Sequence, residues 1–514
     1  VYGHGPLQRR ALFISTLASF TFVAHNLLFS VVATNVDHWC KQPPDYANLT
    51  SEEWRNISVP REASGHWLKC VRYEPPLSVD ASNRSQVPCE EWDYDLKGHS
   101  IVTEWNLVCD RRWLVSLTSV VFMCGTAAAA PVVGNLCDNF GRRPVLYWSV
   151  LSLLISGVAT CFAGTITHFL ILRFILSASV STVEITSYIL LFELATPAHR
   201  CLYSVIVFST PIITAPLLLS VAELIATEWV LTQVAVLLPT SLLLTTFCLT
   251  VESPRWLLST KDFKDAELVL IQAAQVNGIS VNEAQRQWRQ HNTRLYCPDG
   301  DTFLFNKSNW TDVLSSDILR HRVIILFWCW FFAILAYYNR HGRHTNSGWL
   351  QVAQVAFEGL CHVLLYSSVT RLGRRTTLET LFAGSSVLLG MVAVVTMLEP
   401  TSNLVFPLGR LVYVIMDMVV TVLGLYTAEL FPTVVRSKGL CAAYFFGGLG
   451  GIVAPLLHEL GSITTTEFVP SLLSVAGIFT ALAVHFLPET MTIGVLNTLR
   501  GVEKPDKRKE LKKT

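Results

Sequence analysis

Charged residues are scarce in this sequence, at 15% of 514 residues, whereas hydrophobic residues make up 51%. Soluble domains average about 25% charged residues, so this chain has too few to cover a globule of its size with a polar surface. It also lacks a nucleotide-binding loop, a metal-ligand cluster and a nucleophile paired with a base. The composition argues against a soluble domain, and the missing motifs argue against an enzyme and a cofactor or metal site. The net charge of +1 says little, and no nucleic-acid partner is expected.

Twelve apolar runs are each long enough to cross a bilayer, which takes roughly 20 residues in a helix. The runs are 11–34, 114–136, 145–164, 168–191, 202–222, 230–250, 322–339, 349–370, 376–398, 404–427, 438–460 and 468–487. The sequence therefore predicts an all-α protein with twelve transmembrane helices in the lipid bilayer.

Basic residues are distributed unevenly among the short loops. The short loops that follow odd-numbered runs hold only Arg340 and Arg343. The short loops that follow even-numbered runs are rich in arginine and lysine. These residues are Arg142, Arg143, Arg200, Arg371, Arg374, Arg375, Arg436 and Lys438. By the positive-inside rule, both termini are predicted to be cytoplasmic.

The same patterns divide the chain into five parts. A cytoplasmic lead at 1–10 precedes an N-terminal six-helix half at 11–258, and a cytoplasmic helical linker at 259–321 precedes the C-terminal half at 322–490. A basic tail at 491–514 is predicted to be cytoplasmic.

The long polar segment at 35–113 carries the marks of an extracellular loop. It contains Cys40, Cys70, Cys89 and Cys109, which in an oxidising compartment predict two disulfides of open connectivity. It also holds three glycosylation sequons, which begin at Asn48, Asn56 and Asn83.

A distinctive loop lies between the second and third apolar runs. The stretch GNLCDNFGRRP at 134–144 is echoed by Gly373, Arg374 and Arg375 in the second half. It resembles the loop that joins the second and third helices in the major facilitator superfamily. The resemblance implies two six-helix halves that rock against each other around a central site.

A closer resemblance comes from the end of the polar segment. CEEWDYD at 89–95 and IVTEWNLVCD at 101–110 look like the large extracellular loop of the organic cation, anion and carnitine transporter family. Matches continue downstream in ESPRWLL at 252–258, YTAELFPTVVR at 426–436 and LPET at 487–490. The resemblance implies a multi-pass plasma-membrane transporter of small organic ions.

Eleven charged residues and one glycine at the predicted cytoplasmic helix ends are candidates for gating, because ion pairs there can break and reform and glycine allows a tight turn. These candidates are Asp138, Gly141, Arg142, Arg143, Glu193, Arg200, Glu252, Arg255, Arg374, Arg375, Glu429 and Arg436.

Acids inside predicted helices are candidates for substrate binding. An acid at the centre of a membrane helix costs about 2.5–3.5 kcal/mol on insertion scales, so such residues are functional by default. Three stand out: Glu184, Glu358 and Asp417. The alternative for each is a buried carboxylate paired with a neighbour such as Arg173 or Arg410.

Aromatic residues add to this candidate site. Trp330 and Tyr337 are seven residues apart, which places them on one helix face, and Phe446 is a further candidate. A quaternary ammonium over such rings gains about 0.5–2 kcal/mol. Packing between helices is the alternative reading of these residues.

Three positions depart from the family pattern. Gly448 stands where cation transporters carry an acid and anion transporters an arginine, Thr370 replaces an acid, and Asn339 replaces a glycine. We therefore expect a polyspecific transporter of organic cations or zwitterions. The alternatives are an organic anion transporter of the same family and a receptor that keeps the fold without transport.

Overall fold

The computed structural model of this chain describes most of its length. The described residues are 4–33, 36–46, 48–61, 67–74, 76, 85–95, 99–226, 228–260, 262–295, 317–339, 348–399, 402–431 and 435–491. The basic tail and Asn83 lie outside them.

Twelve long helices dominate the described chain and form two sets of six. The first set is α1 (Pro6–Val32), α2 (Trp113–Phe140), α3 (Arg142–Thr160), α4 (Ile166–Leu194), α5 (Pro197–Ile225) and α6 (Trp229–Leu249, completed after Ser241 by a 3-10 turn). The second set is α7 (Asp317–Tyr338), α8 (Gly348–Arg371), α9 (Arg374–Leu398), α10 (Val405–Leu430), α11 (Arg436–Ile463) and α12 (Phe468–Val484). The predicted twelve-helix architecture is confirmed.

Ten of these helices are long and apolar enough to span a membrane by length and composition, within the described residues. The other two are α8 and α12. Helix α12 has 17 residues, and α8 carries Gln354, Glu358 and His362 among its apolar residues.

The two halves meet along two seams. Along one seam α2 runs beside α11, from Ser116, whose hydroxyl donates to Glu459 at 3.2 Å, to Gly134, which lies against Cys441. Along the other seam α5 packs against α8 and α10, where Phe208 lies against Gly424. These seams enclose the space in which a central cavity forms.

The segment between α1 and α2 folds as a small disulfide-bonded unit, and we call its side of the membrane the loop face. Disulfides join Cys40 to Cys89 and Cys70 to Cys109, which confirms two bridges and supplies their connectivity. Strand β1 (His38–Cys40) pairs with β4 (Trp92–Tyr94), and β2 (Val71–Glu74) pairs with β3 (Ser85–Pro88), both antiparallel.

This unit is anchored to the first half. The backbone N–H of Trp229, at the start of α6, donates to the carbonyl of His99 at 2.9 Å, and its indole N–H donates to Glu104. The Trp229 ring also contacts Trp105 and Phe169. Asn48 and Asn56 are exposed on the unit, as an acceptor of glycan must be.

Three shorter helices follow α6: Pro254–Ser259, Phe263–Val276 and Val281–Leu295. They lie on the opposite side of the membrane, which we call the turn face because the Gly141 and Gly373 turns are there. Asn277 accepts a hydrogen bond from the backbone of Leu7 at 3.0 Å and so ties these helices to the start of α1. The linker boundaries at 259 and 321 stay predictions.

Candidate functional site

The turn between α2 and α3 is built around Gly141. Its φ of +96° lies in the region that favours glycine, and a Cβ there would lie 2.6 Å from a carboxylate oxygen of Glu252. The Glu252 carboxylate accepts from the backbone N–H groups of Arg142 and Arg143, each at 3.0 Å. Glu252, which follows α6, therefore caps the N-terminus of α3, where a negative charge is favoured.

The second half repeats this arrangement between α8 and α9. Gly373 also has a φ of +96°, and Glu489 accepts from the backbone N–H groups of Arg374 and Arg375 at 3.0 Å each. The sequence echo at 373–375 thus corresponds to the same three-dimensional turn in both halves.

Each turn places one arginine beside a glutamate at the end of a neighbouring helix. Arg142 lies 3.2 Å from Glu193 of α4, with both side chains buried, and Arg374 lies 3.2 Å from Glu429 of α10. Arg142 also lies 3.5 Å from Asp138. Buried pairs of this kind are strongly destabilised when one partner is removed.

The first turn makes described polar contacts with the other half of the molecule, across the α2–α11 seam. Arg142 donates to the hydroxyl of Ser437 at 2.9 Å, and Lys438 lies 3.9 Å from Asp138. In the second half Thr370 stands where the first has Asp138, and its hydroxyl donates to the carbonyl of Tyr366 within its own helix at 2.8 Å. The polar link between the halves is therefore asymmetric.

Two arginines at the turn face flank one aromatic ring. The guanidinium groups of Arg200 and Arg436 lie 4.7 and 5.0 Å from the ring centroid of Phe192. Arg200 follows Glu193 by seven residues, as Arg436 follows Glu429, so this is a second repeated feature.

The remaining predicted gating residues lie around these contacts. Arg143 donates to the hydroxyl of Tyr147, and Arg375 lies 2.9 Å from the ring of His485. Arg255 belongs to the Pro254–Ser259 helix on the same face. The structure thus brings the twelve gating candidates together at the turn face, and their role stays a prediction.

A cavity lies between the two halves near the middle of the helices. Its acidic lining residues are Glu184 from α4 and Asp417 from α10, on opposite halves. Among the described residues that line it, none is basic. Six aromatic side chains complete much of the wall: Phe22, Phe208, Trp330, Tyr337, Tyr338 and Tyr444.

Glu184 is held by a single described hydrogen bond. The hydroxyl of Ser19 on α1 donates to one carboxylate oxygen at 3.3 Å, and the other oxygen has no described partner. The residue is 4% exposed. A buried, half-satisfied carboxylate beside a cavity is costly unless it serves a ligand.

Trp330 and Tyr337 both lie on the cavity wall, as their spacing predicts, and a hydrogen bond to a neighbouring helix holds each side chain. The indole N–H of Trp330 donates to Thr427 at 2.9 Å, and the hydroxyls of Tyr337 and Tyr413 lie 2.9 Å apart. Their rings therefore face the cavity from defined positions.

Asp417 and Glu358 belong to one cluster on α8 and α10. Asp417 pairs with His362 at 3.0 Å, and Glu358 pairs with Arg410 at 2.5 Å. Asp417 lines the cavity, whereas Glu358 lies behind it and is not among the lining residues. Pairing with Arg410, the alternative considered from sequence, is therefore found for Glu358.

Two other residues singled out from sequence lie off the cavity. Phe446 stacks on Phe327 with ring centroids 4.6 Å apart, and Arg173 is surrounded by the rings of Phe29, Phe122 and Phe169. Neither is among the residues that line the cavity.

Several residues of the site have no counterpart among the sequence candidates. His362, Tyr413 and Ser19 hold the acids and Tyr337 in place. His362 follows Glu358 by four residues, a spacing that places both on one face of a helix. That spacing was available in the sequence, whereas the contacts of Ser19 and Tyr413 depend on helix packing.

Fold and site together define a multi-pass membrane protein of the major facilitator fold. The Major Facilitator Superfamily profile matches residues 112–342. Among solved structures, the proton:xylose symporter XylE is similar with a TM-score of 0.63 at 18% identity, over 97% of this chain and 98% of the symporter. The human organic anion transporter MFSD10 is similar with a TM-score of 0.53 at 14% identity, over 93% of this chain and all of that one.

Relatives in sequence extend over nearly the whole chain. Organic anion transporter 3 of Mus musculus is 29% identical over 99% of this chain and 94% of its own length. Solute carrier family 22 member 7 of Rattus norvegicus is 28% identical over 99% and 98%. The Beta-alanine transporter of Drosophila melanogaster is 29% identical over 94% and 84%. These relatives are transporters, which supports membrane transport as the activity of this chain.

Proposed function

We propose that this protein is a plasma-membrane transporter of small organic ions, related to solute carrier family 22, and that its preferred substrates carry a protonated or quaternary amine. Cations and zwitterions both meet this description. The turn face is cytoplasmic in this proposal, and the cavity opens to either side in turn as the halves rock.

The chemistry of the cavity is the observation that carries the proposal. Its described lining has two carboxylates, Glu184 and Asp417, six aromatic side chains and no basic residue. A protonated amine replaces part of the lost hydration of a carboxylate and gains about 0.5–2 kcal/mol from an aromatic face. An anion in the same place meets like charges in a poorly screened space.

The acids also stand on opposite halves of the molecule. Glu184 belongs to α4 and Asp417 to α10, so a cation between them attracts both halves at once. That geometry links substrate binding to closure of the cavity, which alternating access requires.

Organic anions are the second candidate because of the relatives. Two of the transporters described above are named for organic anions, and the neutral Gly448 removes the usual charge selector. The name of the Beta-alanine transporter specifies a substrate with both an amine and a carboxylate, so a zwitterion is consistent with the acidic cavity and with this relative.

Closure at the turn face supports the transport cycle. Ser437 and Lys438 of α11 bind Arg142 and Asp138 of the first half. These contacts must break for the cavity to open towards that face.

Uptake of a labelled quaternary amine, a labelled β-amino acid and a labelled dicarboxylate, measured in parallel, tests the proposal. The wild type should favour the two amines, and Glu184→Gln should lower their uptake about tenfold or more at equal surface expression. Glu223→Gln, which changes an exposed acid at the end of α5, is the matched control.

Preferential uptake of the dicarboxylate would contradict the substrate assignment and support the organic anion candidate. Binding of an amine without uptake would instead support a receptor on the same fold.

A further inference from the structure

A buried histidine–aspartate pair adjoins the cavity. The Nε2 atom of His362 lies 3.0 Å from a carboxylate oxygen of Asp417, and the two side chains are 4% and 3% exposed. The other ring nitrogen, Nδ1, lies 2.9 Å from the backbone carbonyl of Glu358. Nδ1 therefore has a hydrogen-bond partner, whereas Nε2 and the Asp417 oxygen lie close together, buried, without a described hydrogen bond.

This geometry fixes the proton count of the pair. A carbonyl oxygen can only accept, so Nδ1 must carry a hydrogen. At 3.0 Å an unprotonated Nε2 and an ionised carboxylate would repel each other, although the two atoms are not aligned for a hydrogen bond. A further proton, either on the imidazole or on Asp417, removes this repulsion. The His362–Asp417 pair holds one proton more than a neutral histidine beside an ionised aspartate, and its net charge is zero.

Glu358 and Arg410 complete the cluster around the His362–Asp417 pair. Because their charges cancel, only another positive charge can compensate for loss of the proton from the pair. Glu358 and Arg410 lie 2.5 Å apart and compensate each other, so loss of the proton leaves a net charge of −1 buried among membrane helices. An uncompensated buried charge is costly. Because Asp417 also lines the cavity, an organic cation there can supply the missing charge.

We propose that this protein exchanges protons for organic cations, and that the His362–Asp417 pair is its proton site. When the cation binds beside Asp417, the pair releases its proton to the water of the cavity, and when the cation leaves, the pair takes a proton back. One positive charge replaces another, and the substrate is not altered. This inference rests on the proposed function and names its coupling ion.

Other ionisable groups lie on the same two helices, on the ends of neighbouring helices and across the cavity, where Glu184, Tyr338 and Tyr444 share the lining with Asp417. Tyr413 of α10 lies under the Arg410 guanidinium, 4.7 Å from it, and its hydroxyl meets that of Tyr337 on the cavity wall. Helices α5 and α9 also pack against α8, and α7 and α11 pack against α10. The charged or histidine side chains of these four helices lie towards the helix ends and are His199, Arg200, Glu223, Asp317, Arg320, His321, Arg322, Arg374, Arg375, Glu379, Arg436, Lys438, His458 and Glu459.

The test uses the full chain in proteoliposomes with the membrane potential clamped by potassium and valinomycin. The probe is labelled tetraethylammonium, whose charge does not change with pH, so any pH dependence belongs to the protein. With the interior one pH unit more acidic than the outside, one-for-one exchange should accumulate the probe up to about tenfold, and an entrapped pH dye should report alkalinisation.

His362→Gln should lose the stimulation by the gradient, measured as the ratio of its uptake with the gradient to its own uptake at equal pH on both sides. His25→Gln is the matched control, because His25 is also fully buried in a membrane helix yet contacts Thr240 in the first half. A second measurement needs no variant: binding of the probe to the wild type in weakly buffered detergent should release about one proton per cation bound.

Three results would overturn the inference. Wild-type uptake that ignores the gradient, with no proton release, would leave the proposed transport intact and remove the coupling. Undiminished stimulation in His362→Gln would remove the pair as its site. Absence of tetraethylammonium uptake and binding under every condition would overturn this inference, whereas uptake of the labelled β-amino acid decides separately whether the amine transport proposal stands.

Discussion

At the scale of single residues, Gly448 is a position where close packing between helices leaves no space for a charged side chain. A Cβ at this position would lie 2.9 Å from the Cβ of Ala127 and 3.2 Å from its backbone. The close approach of α11 to α2 therefore leaves no space for a side chain at the position where the family resemblance predicts a charged residue. In the proposed function, charge discrimination in the cavity is left to Glu184 and Asp417.

Gly448→Ala should lower the thermal stability of the protein and slow transport, because overpacking typically costs about 1–3 kcal/mol. The double variant Ala127→Gly/Gly448→Ala should recover much of the loss by returning the space. Gly384→Ala is the control, since nothing lies within 4 Å of a Cβ there. Equal melting temperatures for Gly448→Ala and the control would contradict this account.

Arg142 and Arg143 are adjacent in sequence yet differ in their surroundings. Arg142 is buried and contacts Glu193 and Ser437, whereas Arg143 is exposed and contacts Tyr147. Arg142→Ala should slow substrate exchange about tenfold or more while leaving the dissociation constant nearly unchanged, because the residue lies away from the cavity. Arg143→Ala should have a much smaller effect.

Exchange rates and dissociation constants should be compared at equal surface expression. Arg142→Ala removes one partner of a buried ion pair, so its folding must be checked by size-exclusion chromatography. A folded Arg142→Ala that transports at the wild-type rate would refute the gating role.

At the scale of elements, the same turn begins α3 and α9. Gly141 and Gly373 share a φ of +96°, and a glutamate carboxylate accepts two backbone N–H groups beside each. Each glutamate comes from the end of the last helix of its half, so the turn closes that half into a unit. The repeated turn therefore follows from the fold and does not depend on which substrate is bound.

Gly141→Ala and Gly373→Ala should destabilise the protein through backbone strain of about 1–3 kcal/mol and through a clash with the glutamate. Gly278→Ala is a comparison for positive φ without a clash, because Gly278 has a φ of +73° but no atom within 4 Å of a Cβ. Thermal unfolding should place the two turn variants well below Gly278→Ala. If all three variants lose the same stability, the carboxylate contact contributes nothing.

At the scale of the whole molecule, orientation and gating depend on each other. The disulfide-bonded unit and the gating residues lie on opposite faces. If the unit is extracellular, the turn face is cytoplasmic, and the closed contacts around Arg142 seal the cytoplasmic side.

Glycosidase treatment of the protein from a eukaryotic host should increase its gel mobility, because Asn48 and Asn56 are exposed in sequons on the loop face. The triple variant Asn48→Gln/Asn56→Gln/Asn83→Gln should migrate like the treated protein and show no further shift. No shift in the wild type, with labelling of this segment only after permeabilisation, would reverse the orientation.

The sequence by itself determined the twelve helices, because apolar runs of the length of a bilayer have few other stable conformations. It also determined that four loop cysteines form two disulfides and that acids such as Glu184 and Asp417 are exceptional inside helices. These conclusions depend on residue type and on spacing along the chain.

Only the tertiary structure decided which groups meet. It shows that Cys40 is bonded to Cys89 and that Glu358 pairs with Arg410. It also shows that Asp417 lies beside His362 and that Phe446 packs on Phe327, away from the cavity. Contacts between helices depend on rotation and crossing of elements far apart in sequence, which residue periodicity does not specify. The proton site is therefore a product of packing between α8 and α10.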